Sequence, residues 1–229
     1  MFHPDEYLSA LTRLLRAAFG SRLIYVGLQG SYLRGEATES SDIDVMVVID
    51  SMSAADLTAY RQAIASLPDP DRSCGFICGR EDLLHWNPLE ICHLLHTTQD
   101  HFGTLAELVP PYTLRDVRTC VQLSAGNLYH ELCHRFVHAS ASDNIAAFPA
   151  ACKQVFFILQ DLHYLDSGVF PGTKAALLSM LSGRDRAVLE MALACSRGAP
   201  FDFESAFPLL LSWCREVLIR ASGKAGETL

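Results

Sequence analysis

The N-terminal half of the chain combines two hydrophobic patterns, one with helical spacing and one made of short continuous apolar runs. Helical spacing is typical of amphipathic helices, and short runs bounded by glycine and polar residues are typical of buried strands. Together the patterns predict helices over 5–19 and 53–66, and strands over 22–28, 42–49, 74–78 and 89–98. The last segment also fits a helix, but its continuation into a polar turn at 99–103 favours a strand.

The pattern becomes helical throughout after Pro110-Pro111. Two adjacent prolines interrupt both helices and central strands, so we place a domain boundary there. Helical spacing then predicts helices over 113–139, 142–165, 174–181, 185–195 and 203–221. Helices joined by short connections form bundles. The sequence therefore predicts an α+β fold, with a small mixed-sheet domain over 1–110 and an α-helical bundle over 111–229.

Composition and charge narrow the class of protein. Half of the 229 residues are hydrophobic, which is typical of globular domains and not of disordered chains. The formal net charge is −8, whereas proteins that bind nucleic acid broadly need basic surface to displace counterions from phosphates. We therefore do not expect nucleic acid as a partner.

Targeting and cysteine usage indicate a cytoplasmic protein. The first residues lack the basic start of a signal peptide, and no apolar run is as long as a membrane span, so no membrane association is expected. The eight cysteines are scattered without a Cys-x-x-Cys pair, which predicts buried free thiols.

The candidate chemistry lies between the first two predicted strands. Asp42 and Asp44 stand two positions apart at the start of the second strand, so their side chains project from the same face. Two such carboxylates repel each other unless a cation lies between them. Mg²⁺ is commonly held by one or two carboxylates together with the phosphates of a substrate. The alternative is that the two aspartates form an ordinary solvated strand edge.

A glycine-serine turn precedes this pair of carboxylates. Gly30 allows the backbone to approach a ligand closely, and Ser31 offers a hydroxyl and an N–H group at a predicted helix start, where phosphate is favoured. The turn and the carboxylates together predict a site for a nucleotide and its metal.

The sequence Gly-Ser-x-x-x-Gly followed by Ser-Asp-Ile-Asp resembles the signature of the nucleotidyltransferase superfamily that includes DNA polymerase beta. Within it, the chain looks most like small bacterial enzymes of the aminoglycoside and minimal nucleotidyltransferase types. The resemblance implies that Asp42 and Asp44 are catalytic and bind Mg²⁺. It also implies that the nucleotide contacts Gly30, Ser31, Arg34 and Ser41.

The function that this resemblance implies is transfer of a nucleoside monophosphate, with ATP as the expected donor. The acceptor is expected to be a hydroxyl group of a small molecule, such as an aminoglycoside-like antibiotic, bound between the two domains. Two alternatives stay open. One is an antitoxin-like or protein-modifying enzyme that adenylylates a partner protein, and the other is a catalytically weakened nucleotide-binding module. The oligomeric state also stays open, with a homodimer as one option.

One departure from the family pattern bears on activity. Most members carry a third acidic residue on the third strand, but this run reads Cys-Gly-Phe-Ile-Cys over 74–78. Either another acid completes the site or catalysis is weakened. The candidate acids are Glu81, Glu90, Asp100 and Glu131.

The predicted bundle resembles the helical substrate-binding domain of these enzymes, a fold shared with HEPN proteins. On its first helix, Asn127, His130 and His134 share a face with His138. This face is interpreted as a wall that contacts substrate or supplies a base, as part of a zinc site, or as a plain polar stripe.

Two lysines of the predicted bundle are further candidates for nucleotide binding. Lys153 and Lys174 stand where a cation could meet a triphosphate, or else extend from their helices into solvent.

Overall fold

A computed structural model describes residues 4–223 and divides the chain into two compact units, one ending at Tyr112 and the other beginning at Thr113. The first unit mixes helices with a four-stranded sheet, and the second is helical. The predicted α+β class is confirmed. The predicted boundary at Pro110-Pro111 lies in the short non-helical stretch just before Thr113.

Over residues 4–112, the first unit contains five α-helices and four strands. Its helices are α1 (Pro4–Phe19), α2 (Gly30–Leu33), α3 (Ala54–Ala65), α4 (Arg80–Leu84) and α5 (Pro88–His96), and its strands are β1 (Leu23–Leu28), β2 (Ile43–Ile49), β3 (Ser73–Gly79) and β4 (Gln99–Phe102). The strand order is β3-β2-β1-β4. Strand β1 is antiparallel to both β2 and β4, while β2 and β3 are parallel, so the sheet is mixed.

Both faces of the central strand β2 are covered over most of its length. Val45 and Val47 pack with α1 and α3 on one face, and Met46 and Val48 pack with Tyr25 on the other. Because side chains alternate along a strand, Asp44 shares the face of Met46 and Val48. It lies at the end of β2 where burial decreases.

The expectation of a strand over 89–98 is wrong, because this segment forms helix α5. Asn87 caps the helix, with its side-chain oxygen accepting a hydrogen bond from the backbone N–H of Leu89, and Pro88 occupies the first turn. Both features favour a helix start. Strand pairing begins only at Gln99, in β4. The short helix α4 was not predicted, and Asp82 caps it by accepting from the Gly79 N–H at 2.9 Å.

The second unit contains α6 (Leu114–His138), α7 (Ala141–Ser167), α8 (Lys174–Met180), α9 (Gly183–Ser196) and α10 (Phe203–Ala221). Four of these helices, α6, α7, α9 and α10, supply most of a single hydrophobic core. Trp213 is fully buried there, and its indole N–H donates to Asp185 Oδ1 at 2.8 Å. The buried polar edge of the tryptophan is therefore satisfied.

Helix α7, Ala141–Ser167, is long and apolar enough to cross a membrane by length and composition alone. However, 56% of its most apolar 18-residue window is buried inside the protein. The apolar surface of α7 serves the core of the second unit, as in ordinary globular helices.

Candidate active site

The turn between β1 and α2 is tied directly to the start of β2. The backbone N–H of Gln29, the residue before Gly30, donates to the carbonyl oxygen of Asp44 at 2.8 Å. The Gln29 side chain also donates to Thr98 Oγ1 at 2.8 Å, which fixes the turn on its other side. The predicted phosphate turn and the predicted carboxylates therefore lie beside each other.

Gly30 is required at this turn for two reasons. Its φ of +69° lies in the left-handed region that residues with a Cβ rarely adopt. In addition, a Cβ atom at this position would lie 1.8 Å from Asp44 Oδ2, well inside contact distance. The Asp44 carboxylate thus rests against the bare backbone of Gly30.

Asp42 and Asp44 form a pair of hard oxygen donors at the open end of β2. Asp42 is exposed and Asp44 is half-buried, so a ligand can reach both carboxylates. Two carboxylates without further protein ligands suit Mg²⁺, which keeps several waters and completes its shell with substrate phosphates. Within residues 4–223, no group of three or more His, Cys, Asp or Glu side chains is arranged to hold a metal. The donor set therefore fits Mg²⁺ bound together with a nucleotide.

Cys74 stands opposite Asp44 on the neighbouring parallel strand, a position that sequence reasoning did not single out. Burial raises the pKa of the Cys74 thiol, and its hydrogen bond to Asp44 and the nearby charges of Asp44 and Asp42 raise the pKa further. The thiol is therefore protonated at neutral pH. It faces Asp44 as a neutral group where a third acid would add negative charge.

Gly75 leaves no alternative place for an acid beside Cys74. Its φ is +113°, and a Cβ atom there would lie 2.0 Å from the carbonyl oxygen of Val45. A side chain at this position would collide with the backbone of the adjacent strand. The backbone therefore excludes a carboxylate at Gly75, whereas at position 74 only the sequence lacks one.

The register excludes Glu81 as the missing ligand. Glu81 follows Gly79, which pairs with Ile49 at the far end of β2. Ile49 lies five positions after Asp44, a distance of about 17 Å along a strand.

The other acids proposed in the first unit are engaged elsewhere. Glu90 accepts from the indole N–H of Trp86 at 2.8 Å. Asp100 lies on β4, with β1 between it and β2. Its carboxylate accepts from the Tyr25 hydroxyl at 2.7 Å and from the Leu105 N–H at 3.3 Å.

Arg34 and Ser41 both take part in the loop between α2 and β2. The Arg34 guanidinium donates to Glu36 Oε2 at 3.0 Å, and both side chains are less than one-fifth exposed. Ser41 Oγ accepts from the Thr38 N–H at 2.8 Å. These contacts shape the loop, and roles in nucleotide binding stay predictions for both residues.

The candidate residues of the second unit occupy separate helices. Lys153 is exposed on α7, while the Lys174 ammonium at the start of α8 lies 5.8 Å from the centre of the Phe156 ring. Glu131 on α6 accepts from Gln154 Nε2 at 3.0 Å. Contact of these residues with nucleotide or acceptor stays a prediction.

The polar face of α6 forms an exposed column of side chains. Asn127, His130 and His134 are all exposed, and the His130 and His134 rings lie 6.0 Å apart between centres. The zinc interpretation lacks support over the described part of the chain, because no third His, Cys, Asp or Glu is placed to complete a metal group. The interpretations as a substrate-facing wall and as a polar stripe both stay open.

Comparisons with known proteins point to one domain type and one fold. Residues 13–71 match the family model of the nucleotidyltransferase domain. Over 67 residues the chain is 37% identical to the protein adenylyltransferase MntA of Thermococcus cleftensis, a match that covers 28% of this chain and 66% of that protein. The chain therefore spans slightly less than two thirds of this relative.

A solved structure extends the likeness to most of the chain. The spectinomycin adenyltransferase AAD(9) from Enterococcus faecialis, crystallised with ATP and spectinomycin, matches with a TM-score of 0.61. The match covers 93% of this chain and 98% of that one, at 14% sequence identity. At this identity the likeness concerns the fold alone.

Proposed function

Starting from a nucleotidyltransferase domain of the DNA polymerase beta type in its first unit, we propose that this chain transfers AMP from ATP to a hydroxyl group of a small-molecule acceptor. The observation that carries the proposal is the contact between Gly30 and Asp44. It joins the turn expected to hold phosphate to a carboxylate expected to hold Mg²⁺.

The residues of the site hold and orient the nucleotide. Gly30 and Ser31 present an open backbone and a hydroxyl to the triphosphate, while the Gln29 N–H holds the turn against β2. Mg²⁺ bound to Asp42 and Asp44 would supply positive charge to the phosphates during transfer. The acceptor hydroxyl attacks the α-phosphorus in line and gives up its proton to water or a base, the bond between the α-phosphorus and the oxygen that bridges to the β-phosphate breaks, and pyrophosphate leaves. Catalysis then rests mainly on positioning and electrostatic stabilisation.

ATP as donor and a small molecule as acceptor are supported by the fold. The AAD(9) structure that shares this fold over 93% of the chain contains ATP and spectinomycin. The net charge of −8 also favours attraction of cationic acceptors over anionic ones.

The test is transfer of label from α-phosphate-labelled ATP, in the presence of Mg²⁺, to a panel of aminoglycosides and spectinomycin. We expect labelled small molecule and released pyrophosphate. Asp42→Asn and Asp44→Asn should each reduce the rate by about 100-fold or more, since charge stabilisation at the phosphates is lost.

Asp50→Asn is the matched control for these substitutions. Asp50 directly follows β2 at the opposite end from Asp44, and its carboxylate accepts from Arg22. This variant should retain the wild-type transfer rate. Transfer that survives in Asp44→Asn would contradict the assigned site.

A protein acceptor is the second candidate, favoured by the 37% identity to a protein adenylyltransferase over 67 residues. In the same assay with cellular protein added, label on polypeptide and none on the small molecules would support this candidate. The experiment thus decides between two acceptors for one donor site.

A nucleotide-binding module without transferase activity is the remaining alternative, and the neutral thiol of Cys74 opposite Asp44 favours it. Equilibrium binding of ATP by the wild-type chain, with no transfer to small molecules or polypeptides, would support this alternative. Transfer to either class of acceptor would exclude it.

A further inference from the structure

Three sulfur atoms converge in the core of the second unit. Cys152 lies on α7, and Met191 and Cys195 lie four residues apart on α9. Met191 Sδ is 4.0 Å from Cys152 Sγ and 3.8 Å from Cys195 Sγ. The two thiols also share a hydrogen bond, so the three atoms form a closed triangle. We call this group the sulfur triangle.

The surroundings of the sulfur triangle are apolar on the inner side and more open at Met191. Cys152 and Cys195 are each 1% exposed and belong to the hydrophobic core, whereas Met191 is only half-buried. Isolated buried thiols usually act as small hydrophobic groups. Here two thiols and a thioether face a common point, with one edge of the group near solvent.

The two distances from Met191 to the cysteines match a three-coordinate metal site. Metal–thiolate bonds are about 2.3 Å long, so three sulfurs in a plane around one ion lie about 4.0 Å apart. The two distances from Met191 to the thiols agree with this value within 0.2 Å. An ion could therefore be bound with little movement of either helix.

We propose that Cys152, Met191 and Cys195 form a binding site for Cu(I). Thiolate and thioether sulfur are the soft ligands that select this ion, while Mg²⁺ prefers oxygen. Structural zinc sites have four ligands, and the part of the chain described by the structure contains no group of three or more His, Cys, Asp or Glu placed for one ion. The three sulfurs thus suit a soft ion of low coordination number.

Binding is a proton exchange without a redox step. Each thiol loses its proton as its sulfur binds Cu(I), so one ion enters and two protons leave. Because protons are released, the apparent affinity for Cu(I) rises as the pH rises.

The test titrates the reduced, full-length protein with Cu(I) under anaerobic conditions against the chelator bicinchoninate, and counts bound ions by native mass spectrometry. We expect one tightly held ion per chain. Cys152→Ser and Cys195→Ser should each weaken Cu(I) binding by about 100-fold or more, and Met191→Leu by about tenfold. The losses differ because a charged thiolate binds Cu(I) more strongly than a neutral thioether does.

Cys214→Ser is the matched control, because Cys214 is a fully buried thiol in the same core but outside the sulfur triangle. Circular dichroism checks the fold of every variant. Met191→Leu conserves volume, so it should fold even if a buried serine is not tolerated. Equal loss of copper in Cys214→Ser and Cys152→Ser would overturn the proposal. So would tight binding that persists in both Cys152→Ser and Cys195→Ser, or the lack of a tightly bound ion in the wild type.

Discussion

Gly30 connects two parts of the proposed nucleotide site through a single contact. Its backbone carries no side chain where the Asp44 carboxylate needs space, and its positive φ turns the chain towards β2. Sequence spacing indicated that both residues belong to one motif. Only the structure shows that the Asp44 carboxylate leaves no space for a side chain at position 30.

The substitution Gly30→Ala should reduce transfer or nucleotide binding at least tenfold, because the new methyl group displaces the Asp44 carboxylate. Gly20→Ala is the control: Gly20 also has a positive φ, of +59°, but it lies outside the Gly-Ser motif and a Cβ there meets nothing within 4 Å. Both variants should lose about 1–2 kcal/mol of stability from backbone strain. ATP binding and thermal denaturation are measured on both variants. The comparison separates the effect of backbone strain from the effect of displacing the Asp44 carboxylate. Equal activity losses in the two would argue against the Gly30–Asp44 contact.

Cys74 on β3 places a neutral thiol directly opposite Asp44 on the adjacent strand β2. An aspartate at position 74 would place a third carboxylate there. In Cys74→Asp, three carboxylates would repel one another when Mg²⁺ is removed by EDTA. We expect a loss of about 0.5–1 kcal/mol, the usual cost of like charges directly opposite on adjacent strands. Added Mg²⁺ should restore the melting temperature.

Cys74→Ser keeps a neutral hydrogen-bonding group at the same place and serves as the control. Its melting temperature should change little between EDTA and Mg²⁺. A Cys74→Asp variant that shows no greater response to Mg²⁺ than Cys74→Ser would indicate that the ion does not bind beside Asp44.

At the scale of elements, the start of α3 is held by a charge network that spans two strand ends. Ser53 and Asp56 form a capping box, and Arg22 donates to both Asp56 and Asp50 at 2.8 Å. The Arg22 guanidinium and, to a smaller extent, the hydrogen bonds with Ser53 together lower the pKa of the Asp56 carboxyl to about 2. The capping sequence predicted this helix start, but Arg22 lies 34 residues away from Asp56.

This pKa shift predicts how the stability of the first unit depends on pH. A carboxyl group with a folded pKa below its unfolded value of about 3.9 stabilises the fold fully above that value. The contribution is lost as the pH falls from about 4 towards 2. Asp56→Asn should therefore lower stability at pH 7, and the difference from wild type should shrink below pH 4.

Chemical denaturation at several pH values measures this difference. Asp71→Asn, which removes an exposed carboxyl group from a turn of the same unit, is the control for the loss of one charge. A constant difference between Asp56→Asn and wild type from pH 7 to pH 2 would contradict the assigned interaction.

At the scale of the molecule, each unit has a hydrophobic core composed of its own residues. The sheet unit buries side chains on both faces of β2, and the helical unit buries a core around Trp213 and Leu210. The turn and the carboxylates of the proposed donor site, from Gly30 to Asp44, lie in the first unit, while the candidate nucleotide ligands Lys153 and Lys174 lie in the second. Destabilising the core of the second unit at a position away from both lysines tests whether nucleotide binding depends on the stability of that unit.

Leu210→Ala should destabilise the second unit by about 2–5 kcal/mol, because it opens a cavity at a fully buried position. Leu114→Ala is the control, since Leu114 is 57% exposed and its truncation should cost little. Thermal denaturation measures the loss, and ATP binding below the unfolding temperature should stay at the wild-type level. Weakened ATP binding in folded Leu210→Ala would show that the second unit contributes to the donor site.

Local sequence patterns were enough to predict the element types of most of the chain and to identify the donor motif. Hydrophobic spacing, capping residues and the Gly-Ser and Asp-x-Asp patterns act over a few residues, so they can be recognised without knowing the fold. The same local reasoning failed at 89–98, where the capping side chain of Asn87 and the position of Pro88 decided for a helix over a strand.

Contacts between residues that are distant in the sequence became visible only in the folded chain. Strand register placed Cys74 opposite Asp44 and moved Glu81 to the far end of β2, and helix packing assembled the sulfur triangle from α7 and α9. These contacts depend on pairing and packing between segments far apart in the chain, which spacing along one segment does not encode. The donor motif could therefore be recognised in the sequence. The position of the neutral Cys74 thiol opposite Asp44 and the sulfur triangle could be recognised only in the structure.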